Sequence, residues 1–251
     1  MNGFKKNPHY LLKSFSVNIF LFGLFVFVMM TFKPLVFEKF SILLLLLIPF
    51  GLILGLVSAT AFHNASHGNI KPRFLNRIIG ELTAALFLED LRCFRVGHML
   101  HHIHTDDPLL DPHPPQGLKF FEFILSSRKK TISCIENLYY KHHLKTALSM
   151  KNVRLQILFF HIAAVLKLVF WLYLFGPVTF LFFFIPSYLA YFFGFAHLNY
   201  ISHQEDYGDG SIYNHNENFF YQFMNVVTSG GYFHKNHHAS PGLYNPSKLS
   251  R

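Results

Sequence analysis

The sequence predicts an all-α integral membrane protein: four transmembrane helices in two hairpins, with a cytoplasmic helical cap that carries clustered histidines. Three observations predict it. Of 251 residues, 51% are hydrophobic and only 14% charged, against roughly 25% charged in an ordinary soluble domain. Four stretches approach the ~20 apolar residues that a spanning helix needs. The Lys and Arg residues between them are divided so unevenly that they set one orientation. The same composition excludes a disordered chain, a collagen-like repeat and a disulfide-stapled secreted module. Cys93 and Cys134 are too few for a disulfide framework and match no zinc spacing, so they are read as free thiols.

The first span covers about residues 14–32. Lys5, Lys6 and Lys13 precede it, and no small-residue cleavage site separates it from Lys33 and Pro34, so it is read as a retained helix rather than a signal peptide. The second covers about 40–62 and includes the unbroken run Leu43 to Leu47. A cytoplasmic segment, 63–155, follows. Within it Ile78 to Leu88 and Leu118 to Leu125 are too short to span but apolar enough to lie in the interface. Asp106-Asp107-Pro108 and His113-Pro114-Pro115 mark loops. The third span, about 156–175, contains His161 and Lys167, which are costly at membrane depth, so Lys167 is expected to snorkel or to face another helix. The fourth covers about 177–200, and 201–251 forms the second cytoplasmic segment. No internal repeat or second globular domain is evident, so residues 1–251 are read as one domain.

Counted by alternate compartments, nineteen Lys and Arg lie on one side and two on the other, with Lys167 inside a span. The positive-inside rule puts the side with nineteen, and both termini, in the cytoplasm. The net charge of +9 is thus topological, with some of it available to anionic lipid headgroups. Nucleic acid is not needed to explain it.

The chain has 17 histidines, and their arrangement is informative. His63 and His67 end the second span and become i, i+4 neighbours on one face if the helix runs on one turn. His98, His101 and His102 form an HxxHH pattern, which returns as His234, His237 and His238. At this histidine frequency chance gives that pattern about 0.08 times per chain. All three clusters fall on the side that the Lys and Arg count makes cytoplasmic. Neutral imidazole ligates iron, zinc, copper or nickel. Eight clustered rings exceed what one ion uses, so two metals are the economical reading. Ligation by histidine alone leaves each metal highly charged, which suits a redox-active ion that binds an anionic oxygen species. No HExxH sequence and no Glu followed three positions later by His is present, so a zinc metalloprotease and a carboxylate di-iron bundle have no support.

These residues resemble the three histidine boxes of the membrane fatty-acid desaturase superfamily, and the likeness extends from about residue 40 to 245. The surrounding text is similar too: His67-Gly68, Asn76-Arg77 before Gly80, Thr105-Asp106-Asp107-Pro108, and Gly230-Gly231-Tyr232-Phe233 leading into the third box. Asn199-Tyr200-Ile201-Ser202-His203 is similar to the NxxxH segment of acyl-CoA desaturases. The resemblance implies nine metal ligands: His63, His67, His98, His101, His102, His203, His234, His237 and His238. It adds Asn199 as a water-mediated one. It further implies two iron ions, dioxygen as co-substrate, and a lipid or acyl substrate from which hydrogen is abstracted to leave a double bond. No fused cytochrome b5 motif appears, so it implies a separate electron donor, a ferredoxin or cytochrome b5 with its reductase. Asp90, Asp106, Asp107, Asp111, Glu205 and Asp206 are the carboxylates near the boxes that could orient ligand imidazoles. His9, His104, His113, His142, His143, His161, His197 and His215 match no box and are read as non-ligands.

Two alternatives stand beside a desaturase. Carotenoid ketolases and lipid hydroxylases use similar scaffolds, and the Asp-Pro loop after the second box suits them; the third box favours the acyl enzymes. A metal transporter or sensor is an alternative of another class, but transporter ligands belong near the bilayer midplane, whereas these clusters lie at helix ends and in cytoplasmic segments.

Overall fold

A computed structural model describes residues 3–32, 39–203 and 212–249, and every regular element among them is helical. Helix α1 (Gly3–Lys6) leads into α2 (Tyr10–Thr31), and a short 3-10 turn at Ile42–Leu46 leads into α3 (Leu47–His67). Then come α4 (Arg73–Leu86), α5 (Leu91–Ile103), α6 (Phe120–His142), α7 (Ala147–Thr179), a π-helical turn at Phe180–Phe184 and α8 (Ile185–Ser202). The short α9 (Phe219–Val227) and α10 (His234–Ala239) follow.

Among the described residues, three runs are long and apolar enough to cross a membrane: Tyr10–Thr31, Ile42–His67 and Ala147–Ser202. The first two match the expected spans, with helix boundaries shifted by a few residues. The third joins the two expected later spans into 56 residues, about 84 Å if straight. It is not straight. Gly176 adopts φ 65° and ψ 164°, which breaks the helix at the residue before Pro177. Trp171 and Phe184 stand thirteen positions apart, about 20 Å along a straight helix, yet their rings lie 5.8 Å apart. The run therefore doubles back at Gly176. Its outer surface stays apolar, with Leu166, Val169, Tyr173, Leu181 and Leu189 exposed, as lipid contact requires.

Packing between α3 and α8 depends on small residues. A Cβ at Gly55 would stand 2.2 Å from the Ser187 carbonyl oxygen, and one at Gly51 would stand 2.6 Å from that of Phe183. Only glycine permits so close a backbone approach, a common device where helices meet in lipid. Phe22, Phe62, Phe87, Trp171, Phe184 and Tyr191 fill the core, and the Trp171 indole donates to the Ala85 carbonyl at 2.9 Å, fixing α4 against α7.

Lys167 faces a neighbour rather than snorkelling. It is 1% exposed, and its ammonium donates to the Glu89 carbonyl between α4 and α5. The two apolar segments expected in the interface fall on α4 and at the start of α6. One side of α4 joins the core through Gly80, Ala84 and Ala85, while Phe74 and Ile78 stay exposed. The Asp-Asp-Pro and His-Pro-Pro segments are irregular, as expected.

Candidate metal centre

Each histidine box sits where local chemistry fixes it. Helix α3 carries His63 and His67 one turn apart and ends at Gly68, whose φ of 80° closes the helix while the Asn69 N–H bonds back to the Asn64 carbonyl. Asn69 and Asn64 then reach the C-terminal segment: their side-chain amides donate to the carbonyls of Pro241 at 2.8 Å and Tyr244 at 3.2 Å. That ties the α10 box to the end of α3. Helix α5 begins at Asp90, whose carboxylate caps the Arg92 and Cys93 N–H groups and accepts from the Ser14 hydroxyl at 2.9 Å, anchoring the second box to α2. His203 closes α8, and the Gln116 amide donates to its carbonyl.

The rings converge in two groups. His63, His67, His98, His102 and His237 form one, and His101, His203, His234 and His238 the other; within each, the candidate donor nitrogens lie within 4.8 Å of one another. In the first group the Nε2 of His98 is 2.9 Å from that of His63, 2.8 Å from that of His67 and 3.0 Å from that of His102. The Nε2 of His102 is 3.0 Å from that of His237. One ring nitrogen offers one proton or one lone pair, so hydrogen bonding cannot satisfy three such contacts. A cation can. Two imidazole nitrogens bound at right angles, each about 2.1 Å from an ion, stand about 3.0 Å apart. In the second group His234 and His238 have Nε2 atoms 3.2 Å apart, and the Nε2 atoms of His101 and His203 are buried without a partner among the described residues. Buried, convergent and unpartnered donors fit metal ions.

Carboxylates orient the second group from behind. His101 directs Nδ1 at Asp111, 2.9 Å away, and His203 directs Nδ1 at Asp106, 3.0 Å away. A carboxylate on Nδ1 holds the proton there and leaves Nε2 free as a ligand. Two other expected carboxylates do different work. Asp90 caps α5, and Asp107 accepts from the Leu109 and Leu110 N–H groups, which hold its carboxyl below the usual range. Glu205 and Asp206 lie outside the described residues.

Burial keeps these imidazoles neutral. It lowers His98, His101 and His234 well below the ordinary value, and neighbouring imidazoles add to the effect. His102 is lowered to about 3, again mainly by burial, and His237 and His238 are lowered further. Neutral imidazole is the form that ligates metal.

All nine expected histidines fall in the two groups. Asn199 does not: its amide donates to the His113 carbonyl at 3.4 Å. His113, expected to be a bystander, lies with His101 and Asp111 in a third cluster. It sits on a loop outside any box, and no spacing signal could have found it. His197 donates or accepts at the Tyr232 hydroxyl, 2.8 Å away, and His161 bonds to Ile157 and Arg128.

A cavity of about 340 Å³ opens beside the groups, with His63, His98 and His234 on its wall and mostly apolar side chains such as Phe94, Phe123 and Phe195 around the rest. Its volume and lining suit a lipid chain rather than a polar metabolite.

The chain belongs to the fatty acid desaturase family, whose model matches residues 40–246. No curated protein and no solved structure matches the chain. The family carries oxidoreductase chemistry on lipid substrates with histidine-held metal, and the apolar helices fit a membrane protein.

Proposed function

We propose that the chain is a membrane di-iron, dioxygen-dependent lipid desaturase that introduces a double bond into a fatty acyl chain. The observation that carries the reading is the convergence of nine box and box-associated histidines into two adjacent groups beside an apolar cavity. His63, His67, His98, His102 and His237 would hold one iron, and His101, His203, His234 and His238 the other. Asn199, on the cavity wall, would act only through water. Bound iron would supply the dioxygen-dependent abstraction of hydrogen from an unactivated C–H bond. The overall change balances as a –CH2–CH2– unit, dioxygen, two electrons and two protons giving –CH=CH– and two waters.

The protein's own part is positioning and enclosure. Phe94 stacks on His98 at 5.4 Å, and Phe195 meets His63 edge-on at 5.8 Å, so aromatic walls flank the donors on the cavity side and exclude water. Asp111 and Asp106 hold the tautomers of His101 and His203. The helical reversal at Gly176 supports four crossings, and the Lys and Arg distribution supports both termini and the histidine-bearing cap lying on the cytoplasmic side. Residues 1–251 act as one domain, and a separate ferredoxin, or cytochrome b5 with its reductase, delivers the electrons.

Gas-chromatographic profiling of lipids and pigments from expressing cells tests this, beside a His237→Ala, His238→Ala control. The reading predicts new unsaturated acyl chains that vanish in the control. A ketolated or hydroxylated product instead would keep the centre and overturn desaturation. Metal flux in proteoliposomes would replace the enzyme reading with transport.

A further inference from the structure

The large cavity is apolar over most of its wall, yet several oxygen-bearing side chains on it make no hydrogen bond among the described residues, Glu89, Tyr188 and Tyr191 being the ones nearest the start of α5 and on α8. Glu89, Tyr188 and Tyr191 all line it. Among the described residues, neither the Glu89 carboxylate nor either hydroxyl makes a hydrogen bond or an ion pair. These oxygens are also not among the buried atoms sealed in packed interior, as Asn18 Oδ1 and Ser202 Oγ are, and all three side chains line the cavity. Glu89 is fixed by its backbone: its N–H donates to the Ala84 carbonyl, and its own carbonyl receives Lys167. Tyr191 is fixed by stacking on Phe87 at 3.8 Å.

A carboxyl group on an apolar wall is costly unless something takes its oxygens, and native interiors leave few such groups unmatched. Burial raises the Glu89 carboxyl to about 7, against the opposing pull of Lys167 and Arg128. Near neutral pH the group can therefore accept or donate.

Position adds a second constraint. Helix α8 presents Tyr188, Tyr191 and Phe195 to the cavity at helical spacing, and the Phe195 ring is 5.8 Å from His63. Tyr191 and Tyr188 thus stand one and two turns beyond Phe195, about 6 and 10 Å farther along the helix axis.

We propose that Glu89, Tyr188 and Tyr191 form a recognition site for a hydrogen-bond donor carried by the lipid substrate, a hydroxyl or an amide N–H. The inference rests on the reading of this cavity as the lipid site of the proposed metal centre. The substrate class it names is a hydroxylated or amide-linked lipid rather than an unsubstituted hydrocarbon chain. The polar group, and not the chain end, then sets which C–H bonds lie against the histidines.

The full-length protein in nanodiscs provides the test, read as displacement of a fluorescent C18 fatty acid without turnover. The competitors are stearic acid, a series of hydroxystearic acids differing in hydroxyl position, and stearamide. At least one donor-bearing competitor is expected to bind roughly tenfold or more tightly than stearic acid, the range for a hydrogen bond to a charged group. In Glu89→Leu that affinity ratio should fall to about one, and Tyr188→Phe, which keeps the ring packing, should reduce it severalfold. Equal binding of all competitors to the unaltered protein would overturn the proposal, as would a ratio that survives in both variants. Because binding is read without metal chemistry, a protein that shows the preference but forms no product when iron, dioxygen and an electron donor are supplied would sink the desaturase reading alone.

Discussion

His98 and His101, three positions apart on α5, serve different histidine groups. His98 turns its Nε2 to within 3.0 Å of those of His63, His67 and His102, while His101 joins His203, His234 and His238. The third box repeats the division in mirror fashion: His237 joins the first group, and His234 and His238 the second. Residues four apart on a helix share a face, and the one between them turns aside, so a single HxxHH turn reaches both groups. Two such helices facing each other brace the two groups as one unit.

The Asp111 contact with His101 predicts a selective loss. Asp111→Asn keeps the shape but can offer a donor where the imidazole needs an acceptor, so metal affinity at the second group should fall about 10- to 100-fold. Asp107→Asn should leave it unchanged, since Asp107 only caps a turn. Chelator competition on both variants checks this, and equal losses would refute the assignment of Asp111.

The metal-free protein should lose stability in acid. Burial lowers His98, His101, His102, His234, His237 and His238 in the folded state. The unfolded chain therefore binds more protons, and stability falls as pH drops through about 6.5, the unfolded histidine value. For His102 the loss continues down to about 3. Each such group steepens the fall by up to about 1.4 kcal/mol per pH unit. Thermal melts in detergent from pH 8 to pH 4 should show a plateau above 7 and a progressive drop below 6.5; melting independent of pH would contradict the buried neutral rings.

Gly55→Ala should destabilise the α3–α8 pair. The added methyl group would meet the Ser187 carbonyl oxygen at 2.2 Å, and backbone cannot yield as a flexible side chain can. A cost of about 1–3 kcal/mol is expected, visible as a lower melting temperature. Gly242→Ala, where a Cβ meets nothing within 4 Å, is the control.

The sidedness of the proposed four crossings is checked with single cysteines in a background with Cys93 and Cys134 replaced by serine. Lys145→Cys and Lys248→Cys should react with a membrane-impermeant reagent from the cytoplasmic side, and Lys39→Cys from the other. Labelling of all three from one side would contradict the topology.

Much of this was legible in the sequence because period and spacing survive folding. The HxxHH boxes landed on helices α5 and α10, and His63 and His67 fell one turn apart because α3 runs on to Gly68. The reversal at Gly176-Pro177 was legible as a gap between apolar runs, although helix continues on either side of it. The division of nine histidines into five and four was not, since it depends on how α5 and α10 face each other across the ends of α3 and α8. Nor was the proposed role of Glu89: the α8 residues that line the cavity with it lie about a hundred residues away. Lys167 read as an anomaly of its span, and its answer lay in the Glu89 carbonyl on another element.

The central claim is that these nine histidines hold two iron ions. Elemental analysis of the purified protein by inductively coupled plasma mass spectrometry, beside His98→Ala and His101→Ala, tests it most directly. About two irons per chain are expected, falling toward one in each variant as a different group is emptied. One metal or none in the unaltered protein, or zinc in place of iron after expression with both metals supplied, would contradict it.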